Sequence, residues 1–347
     1  MKLIELHILQ SFPVSCLNRD DVGSPKSAVF GGVNRARLSS QCLKRAIRSQ
    51  AGLLADGDGF AGVRSRFLLE PLTAALRQHG LADEVATARA GDIIKVFSKP
   101  DGKHPEQVTT AVYLSPGEID EIARAVAGGE DPKKACKKAA RLDAADIALF
   151  GRMVANDATL NVEGAGMFSH ALSVHKAEPD IDFFSAVDDR KGNAEDAGAG
   201  MIGTLEFTSA LYYRYAAVNL DLLADAAHLG GLTREQRQRV MDTFIRATLT
   251  AVPGARKNSM NAHTLPSYVL GLGKDQGQPV QLINAFEQPL STWETRNQGG
   301  WEKTAIERLK EHHAALKKTW NVATAIEVEI PGQDLNTLCQ TLVSHVH

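Results

Sequence analysis

Hydrophobic and polar positions follow different periodicities in successive parts of the chain. Residues 2–10 alternate between apolar and polar side chains, with Glu5 and His7 on the polar side, which predicts a half-buried β-strand. Residues 11–37 are rich in proline and glycine and predict a loop with a short hairpin. From about residue 51 to 148 alanine and charged residues become frequent and the periodicity is helical. A strand-forming region is therefore followed by a helical insertion.

The remaining pattern adds strands and helices in alternation. A helix begins after Ser39 or Ser40, because either hydroxyl is a good N-cap and apolar residues follow at helical spacing. A second helix starts at Ser115-Pro116-Gly117-Glu118. Further segments are predicted as a strand within 159–176, an exposed loop or hairpin at 186–203, a strand at 204–220, and helices at 233–251 and 302–319. This order predicts an α+β fold around a small ferredoxin-like or RNA-recognition-type sheet.

Composition excludes several classes of protein. The chain has 347 residues, 44% of them apolar, which is enough for roughly two domains. No stretch has the length of an apolar membrane span, and the first residues lack the apolar core of a signal peptide. The four cysteines are far apart, so we expect free thiols, no zinc site and a cytoplasmic location.

Positive charge is concentrated at the start of the chain. The whole sequence has 39 Lys and Arg against 41 Asp and Glu, but residues 1–50 have eight against three. This bias in a protein of neutral balance is typical of a local polyanion-binding surface. A solvated helix face is the alternative; the predominance of arginine beside a glycine-containing loop favours phosphate contact. The residues concerned are Arg19, Lys26, Arg35, Arg37, Lys44, Arg45 and Arg48.

A second basic stripe lies inside the helical insertion. On a helix, residues 134, 137, 138 and 141 share one face, which suggests a nonspecific path for DNA. An ordinary solvated surface is the strong alternative. The stripe contains Lys133, Lys134, Lys137, Lys138 and Arg141.

Three apolar residues form the third candidate feature for nucleic-acid binding. Phe183 and Phe184 are adjacent aromatics beside a glycine-rich segment, and Met153 follows Gly151-Arg152. Such side chains can place a flat apolar surface between bases. Ordinary burial in a core is the alternative for each of them.

Catalytic and metal-binding motifs are weak. Gly271-Leu272-Gly273-Lys274 lacks the spacing of a phosphate-binding loop and is predicted as a turn, while His170 and His175 are predicted to be structural. Asp20-Asp21 could hold a divalent metal for phosphodiester hydrolysis. Without a third ligand nearby in the sequence, we favour a role in shaping the loop.

Several long motifs together resemble the CasC, or Cas seven, family, the backbone subunit of type I-E CRISPR Cascade. They occur in order over residues 1–255 and include Ser15–Asp21, Phe30-Gly31-Gly32, Arg37–Gln41, Leu43–Ala46, Gly151-Arg152-Met153, Asp180–Asp189 and Phe207–Tyr215. Shorter agreements follow at Val252–Ala255 and Asn284–Glu287.

The resemblance implies a hand-like architecture. A palm with an RNA-recognition-type sheet would bear a helical fingers insertion and a protruding thumb β-hairpin. The implied division is palm at 1–50, 149–177 and 207–347, fingers at 51–148, and thumb at 178–206.

The resemblance also implies a function without catalysis or cofactor. Several copies would line up along one CRISPR RNA, within a complex of other Cascade subunits, and present the guide for pairing with target DNA. The residues implied in RNA binding are Arg19, Lys26, Arg37, Ser40, Gln41, Lys44, Arg45 and Arg48, with Met153, Phe184 and Ser185 at a displaced base. The lysines at 133–138 would guide DNA. The alternative is a metal-dependent ribonuclease that cuts target RNA with Asp20 or Asp21, as related backbone subunits of other CRISPR types do.

Overall fold

A large antiparallel sheet organises the protein. The computed structural model describes residues 1–55, 59–104, 106–186 and 201–347. In these residues the strands are β1 (Leu3–Ser15), β2 (Ser27–Phe30), β3 (Val33–Leu38), β4 (Val63–Ser65), β5 (Val112–Leu114), β6 (Gly166–Phe168), β7 (Ala171–Ser173), β8 (Asp180–Ala186), β9 (Met201–Asn219), β10 (Tyr268–Lys274) and β11 (Ile326–Ile330). The sheet has the order β11-β10-β1-β9-β7-β3-β2, with β6 and β8 also paired to β9, while β4 and β5 form a separate ribbon.

The helices surround the sheet and form the insertion. Within the described residues they are α1 (Ser40–Leu54), α2 (Leu69–Gln78), α3 (Asp83–Phe97), α4 (Pro116–Ala127), α5 (Pro132–Lys138), α6 (Ala145–Phe150), α7 (Leu220–Leu223), α8 (Arg234–Thr250), α9 (Thr292–Asn297), α10 (Trp301–Trp320) and α11 (Leu335–Val343). The prediction of a mixed α+β fold is confirmed. No helix among the described residues combines the length and the apolar character needed to cross a membrane.

Side-chain oxygens cap three helices near the starts that the sequence predicted. Ser39 accepts a hydrogen bond from the Cys42 amide at the start of α1, and Ser115 caps α4 with Pro116 in the first turn. Thr233 and Gln236 form a reciprocal capping box at the start of α8. These caps satisfy amide groups that have no partner inside a helix.

Strand β1 is buried on both faces, so the prediction of a half-buried strand is wrong. One face packs Ile4, Leu6 and Ile8 into the core beneath α1, α8 and α11, and the other faces α10. Glu5 and His7, which alternation placed toward solvent, are both fully buried. The Glu5 carboxylate forms an ion pair with buried Lys274, which is the reason that a charged residue is stable at this position.

Strand β10 corrects a second prediction, because Gly271–Lys274 is part of a central strand and not a turn. It pairs with β1 on one side and β11 on the other. A Cβ atom at Gly271 would lie 2.8 Å from a methyl carbon of Leu342, and one at Gly273 would lie 3.2 Å from the His345 ring. These glycines therefore allow α11 and the residues after it to pack closely on the sheet.

The helical insertion has an apolar core of its own. Buried side chains from α2, α3, α4 and α5 form one cluster, which includes Leu72, Ile93 and Ile122. Helix α1 continues four residues beyond the predicted boundary at 50/51, and Val154 and Leu160 join the cluster beyond residue 148. The assignment of these ranges to palm, fingers and thumb stays a prediction.

A ribbon extends from the sheet where β8 pairs with the first half of β9. Asp180 lies opposite Phe207, and Phe184 opposite Gly203. The predicted exposed loop at 186–203 falls mostly on 187–200, which lie outside the described residues.

Candidate nucleic-acid interface

Helix α1 carries the basic residues on the side away from the core. Leu43, Ile47 and Ala51 are buried. The opposite side presents Gln41, Lys44, Arg45 and Arg48. This division follows from the helical repeat, since residues three and four apart share a face. The helix is therefore anchored by its apolar stripe and offers its cations to an open groove.

The groove is a solvent-open depression of about 670 Å³ between α1 and two other segments. Gly151-Arg152-Met153 lies at one side, and the β4–β5 ribbon contributes Arg64 and Tyr113. The structure thus brings together five residues that the sequence placed in one RNA site, namely Gln41, Lys44, Arg45, Arg48 and Met153. Arg64 and Tyr113 were not predicted, because nothing in the local pattern indicates which distant helix a short strand will face.

Two cations of the groove lie against aromatic rings. The Lys44 ammonium is 5.1 Å from the centre of the Phe168 ring, and the Arg48 guanidinium is 5.2 Å from the centre of the Tyr113 ring. Cation–π contacts of this kind hold a charged group in place while leaving it able to bind an anion. Burial lowers the pKa of Lys44 from its ordinary value, so a bound phosphate would offset a cost of desolvation at this position.

Met153 is presented by a rigid segment. Its side chain is 77% exposed, whereas the preceding Arg152 is buried and pairs with Glu118 at 2.7 Å. Arg152 and Val162 exchange backbone hydrogen bonds of 2.9 and 2.8 Å, and Gly151 has a φ of +79° that favours glycine. The observed exposure excludes ordinary burial for Met153 and leaves its apolar side chain facing the groove.

A second group of predicted residues lies around the first turn of α1. Asn18 accepts a hydrogen bond from the Ser39 amide at 2.8 Å, and the Lys26 amide donates to the Asn18 carbonyl at 2.9 Å. The Arg37 amide in turn donates to the Lys26 carbonyl at 2.9 Å. The exposed Arg19 forms an isolated bridge with Pro25 in the same loop. These contacts therefore hold the loop that carries the cations beside the start of the helix.

His170 completes this end of the helix and was predicted only as structural. Its Nδ1 accepts a hydrogen bond from the Ser40 amide at 2.9 Å, so it holds an N–H group that the helix leaves unpaired. Burial lowers the pKa of His170, and the nearby charges of Arg37 and Lys26 lower it further. A neutral imidazole is the form that can accept this bond.

Arg35 corrects a prediction, because it is fully buried and cannot contact a phosphate. Its guanidinium donates to the carbonyls of Ser173 and Phe286 at 2.9 and 2.8 Å. It also donates to the carbonyl of Glu287, against which Gly31 packs so closely that a Cβ atom there would overlap it. Arg35 therefore ties the β2–β3 hairpin to the segment after β10.

Phe184 and Ser185 lie on the β8–β9 ribbon and do not line the groove. Phe184 is 39% exposed and Phe183 68%, and Ser185 is exposed as well. Core burial is therefore excluded for both aromatics.

The lysines of α5 are divided by their ion pairs. All four lysines are exposed, but Lys133 pairs with Asp157 at 2.9 Å and Lys138 with Glu130. Arg141 corrects the predicted stripe, since α5 ends at Lys138. The Arg141 side chain is only 15% exposed and donates to Glu118 at 3.1 Å, so its role is to hold α4 rather than to extend the basic face.

The acidic pair in the first loop has a structural role at one of its two residues. Asp20 Oδ1 accepts hydrogen bonds from the amides of Val22 and Ser24 at 3.0 and 2.9 Å, which closes a turn. In the described ranges, no group of three or more His, Cys, Asp or Glu side chains is arranged to hold a metal ion. The cysteines at 16, 42, 136 and 339 are unpaired thiols, as expected.

Fold and groove together define an α+β protein with a large antiparallel sheet, a helical insertion and a basic groove between them. The chain belongs to the CT1975-like protein family, whose model matches residues 4–338. The predicted resemblance to the CasC family is thereby confirmed.

Solved structures agree with this assignment. One chain described as "CRISPR RNA-guided surveillance complex, pre-nicking" is 27% identical with a TM-score of 0.80, and the match covers 99% of this chain and 100% of that one. Another, described as "CRISPR RNA-guided surveillance complex", is 25% identical with a TM-score of 0.62, covering 99% and 98%. No curated protein matches the chain.

Proposed function

We propose that the protein binds the backbone of a CRISPR RNA in the groove beside α1. The observation that carries this proposal is the convergence of Lys44, Arg45, Arg48 and Arg64 on one open groove, next to exposed Met153. Cations along a path suit the phosphates of a single strand, and an apolar side chain beside them suits a base. The loop cations Arg19, Lys26 and Arg37 extend the path past the start of the helix.

The wider role is that of a repeated backbone subunit in a type I-E Cascade complex. The similar solved structures are described as RNA-guided surveillance complexes, which supports CRISPR RNA and other subunits of such a complex as partners. Several copies would bind one RNA in a row and present its bases to target DNA. Base pairing would then read the sequence, while the protein holds the backbone. Such a complex works in the cytoplasm.

In this proposal the parts of the chain act as palm, fingers and thumb. The order β10-β1-β9-β7, with α1 and α8 on one face, supports a ferredoxin-like palm. The β8–β9 ribbon would be the thumb, with Phe184 and Ser185 acting on RNA bound by a neighbouring copy. Lys134 and Lys137 would contribute most to a DNA path on the fingers, since their neighbours are already paired.

In this proposal the subunit is not catalytic. Asp20 stabilises the turn that follows Arg19. Its carboxylate already accepts two backbone hydrogen bonds. Cutting of bound RNA in the presence of Mg²⁺ or Mn²⁺, lost in Asp20→Ala or Asp21→Ala, would contradict this part.

The central experiment measures binding of a labelled single-stranded RNA as salt is varied. Lys44→Ala combined with Arg48→Ala should weaken binding and make the slope of log K against log salt less steep by about 1.4, since each lost phosphate contact contributes about 0.7 for a single strand. RNA co-purified with the protein should also have a defined length.

The matched control is Arg89→Ala combined with Lys95→Ala. These cations are exposed on α3, outside the groove, and their removal changes the net charge by the same amount. The control should keep the slope of the unmodified protein. An equal loss in both double variants would mean that net charge, rather than the groove, governs binding.

A further inference from the structure

The β4–β5 ribbon forms the second wall of the groove. Its three residue pairs include Arg64 directly opposite Tyr113. Directly opposed residues in an antiparallel pair project from the same face of the ribbon. Both side chains line the groove that α1 forms on its other side. The ribbon thus places a cation and an aromatic ring opposite the basic helix.

Arg64 is available for an anion. Its side chain is exposed. Two other arginines of the helical insertion form ion pairs, Arg66 with Asp101 and Arg77 with Asp83. Arg64 is not among the ion-paired cations of the described residues. A guanidinium in the same groove as Arg48 adds a fork that can bind a phosphate with two hydrogen bonds.

Tyr113 is held in place by a buried carboxylate. Its hydroxyl donates to Asp146 Oδ2 at 2.5 Å, and Asp146 is fully buried. Asp146 Oδ1 accepts from the amides of Gly62 and Ile147 at 3.3 and 3.1 Å. Gly62 packs directly on this pair, because a Cβ atom there would lie 2.7 Å from both residues. The Tyr113 ring therefore has one position.

The Arg48 guanidinium rests on this fixed ring at 5.2 Å from its centre. Burial raises the pKa of both Tyr113 and Asp146, while the Arg48 charge acts in the opposite direction on each of them. A ring of the β4–β5 ribbon thus contacts an arginine of α1, although the two belong to different parts of the chain.

We propose that the β4–β5 ribbon forms part of the RNA-binding site. Arg64 is a further phosphate-binding residue, and Tyr113, fixed by Asp146, is the positioning residue for Arg48. This inference rests on the proposed function, since it assumes that the groove holds RNA. Its specific consequence is that α1 and the β4–β5 ribbon both bind the RNA backbone.

The first test uses the full chain and a fluorescein-labelled oligouridine of one fixed length. Arg64→Ala should weaken binding about tenfold, as expected for a charged hydrogen-bonding group. It should also make the salt slope less steep by about 0.7. Arg89→Ala removes an exposed arginine from α3 of the helical insertion, and should leave the affinity and the salt slope unchanged.

The second test separates positioning from general stability. Tyr113→Phe keeps the ring but removes the bond to Asp146, and should weaken binding about threefold in a chain that still contains Arg48. In an Arg48→Ala background the same change should have no further effect, because the tyrosine acts through that arginine. An equal effect in both backgrounds would overturn the positioning role.

RNA binding by the groove and the part that the ribbon plays in it can be tested separately. If the unmodified chain binds the RNA with no salt dependence, the proposed function itself is wrong. If Lys44→Ala with Arg48→Ala flattens the slope while Arg64→Ala matches Arg89→Ala, the groove binds RNA and the ribbon does not take part.

Discussion

At the scale of single residues, the cations of the first fifty positions have two different roles. Arg35 is buried and donates to backbone carbonyls, while Lys44, Arg45 and Arg48 line an open groove. The sequence predicted the groove residues, because helical spacing separates them from the apolar stripe at Leu43 and Ile47. It could not separate Arg35 from them, since three of the four carbonyls that it contacts, those of Ser173, Phe286 and Glu287, come from residues more than 130 positions away.

The buried histidine of β1 makes stability depend on pH. His7 is fully buried, and its Nδ1 lies 2.8 Å from the Tyr213 hydroxyl. Burial, with the charges of His313 and Lys274, lowers the pKa of His7 well below its ordinary value. The unfolded chain, where histidine titrates near pH ~6.5, therefore takes up a proton that the folded chain does not. Stability present above this pH is lost as the pH falls below it.

His7→Gln should remove part of this loss. Over the acidic range, one proton changes the free energy of unfolding by about 1.4 kcal/mol per pH unit. Urea unfolding at a series of pH values should give a shallower slope for His7→Gln than for the unmodified chain. A slope of equal steepness in both proteins would assign the acid sensitivity to other groups whose pKa burial lowers, such as His175 or His313.

At the scale of elements, local chemistry predicted where helices begin better than where strands lie. Ser39, one of the two N-caps predicted for α1, and Ser115, in the predicted start signal of α4, both act as N-caps. The error at Gly271–Lys274 has a tertiary cause, since those glycines are needed for close packing and not for turning. The ribbon at the groove was missed for a similar reason: three-residue strands have no periodicity to detect.

The β8–β9 ribbon gives a prediction about Phe184. Because this side chain is 39% exposed on a projecting pair of strands, Phe184→Ala should change the free energy of unfolding by less than about 1 kcal/mol. It should nevertheless alter how RNA is held, which chemical probing of the bound strand would detect as a changed pattern of reactive bases.

Phe244→Ala provides the comparison for this variant. Phe244 is 1% exposed in the main core, so its truncation should cost about 3–5 kcal/mol. If Phe184→Ala lowered the melting temperature as much as Phe244→Ala, its ring would be a packing residue and not a contact with nucleic acid.

At the scale of the whole molecule, the groove lies beside a small apolar cluster that is separate from the larger cores. The two faces of the sheet and the helical insertion each have an apolar cluster of their own, and a small cluster around Tyr113 and Ile147 is separate from all three. The sequence predicted the insertion from its change of periodicity, but this side of the groove depends on contacts among Arg48, Tyr113 and Asp146, which come from three separate segments. The groove therefore forms only when these three segments pack together in the folded chain.

An architecture of repeated copies on one RNA predicts how mass depends on RNA length. If each copy holds a fixed number of nucleotides in its groove, lengthening the RNA should add whole copies at regular intervals. Light scattering of purified complexes should then show mass rising in equal steps, each step equal to one chain and its nucleotides. Lys44→Ala with Arg48→Ala should weaken every step, because each copy uses the same groove. A complex that holds one copy on RNAs of every length would contradict the repeated arrangement while leaving RNA binding by the single groove intact.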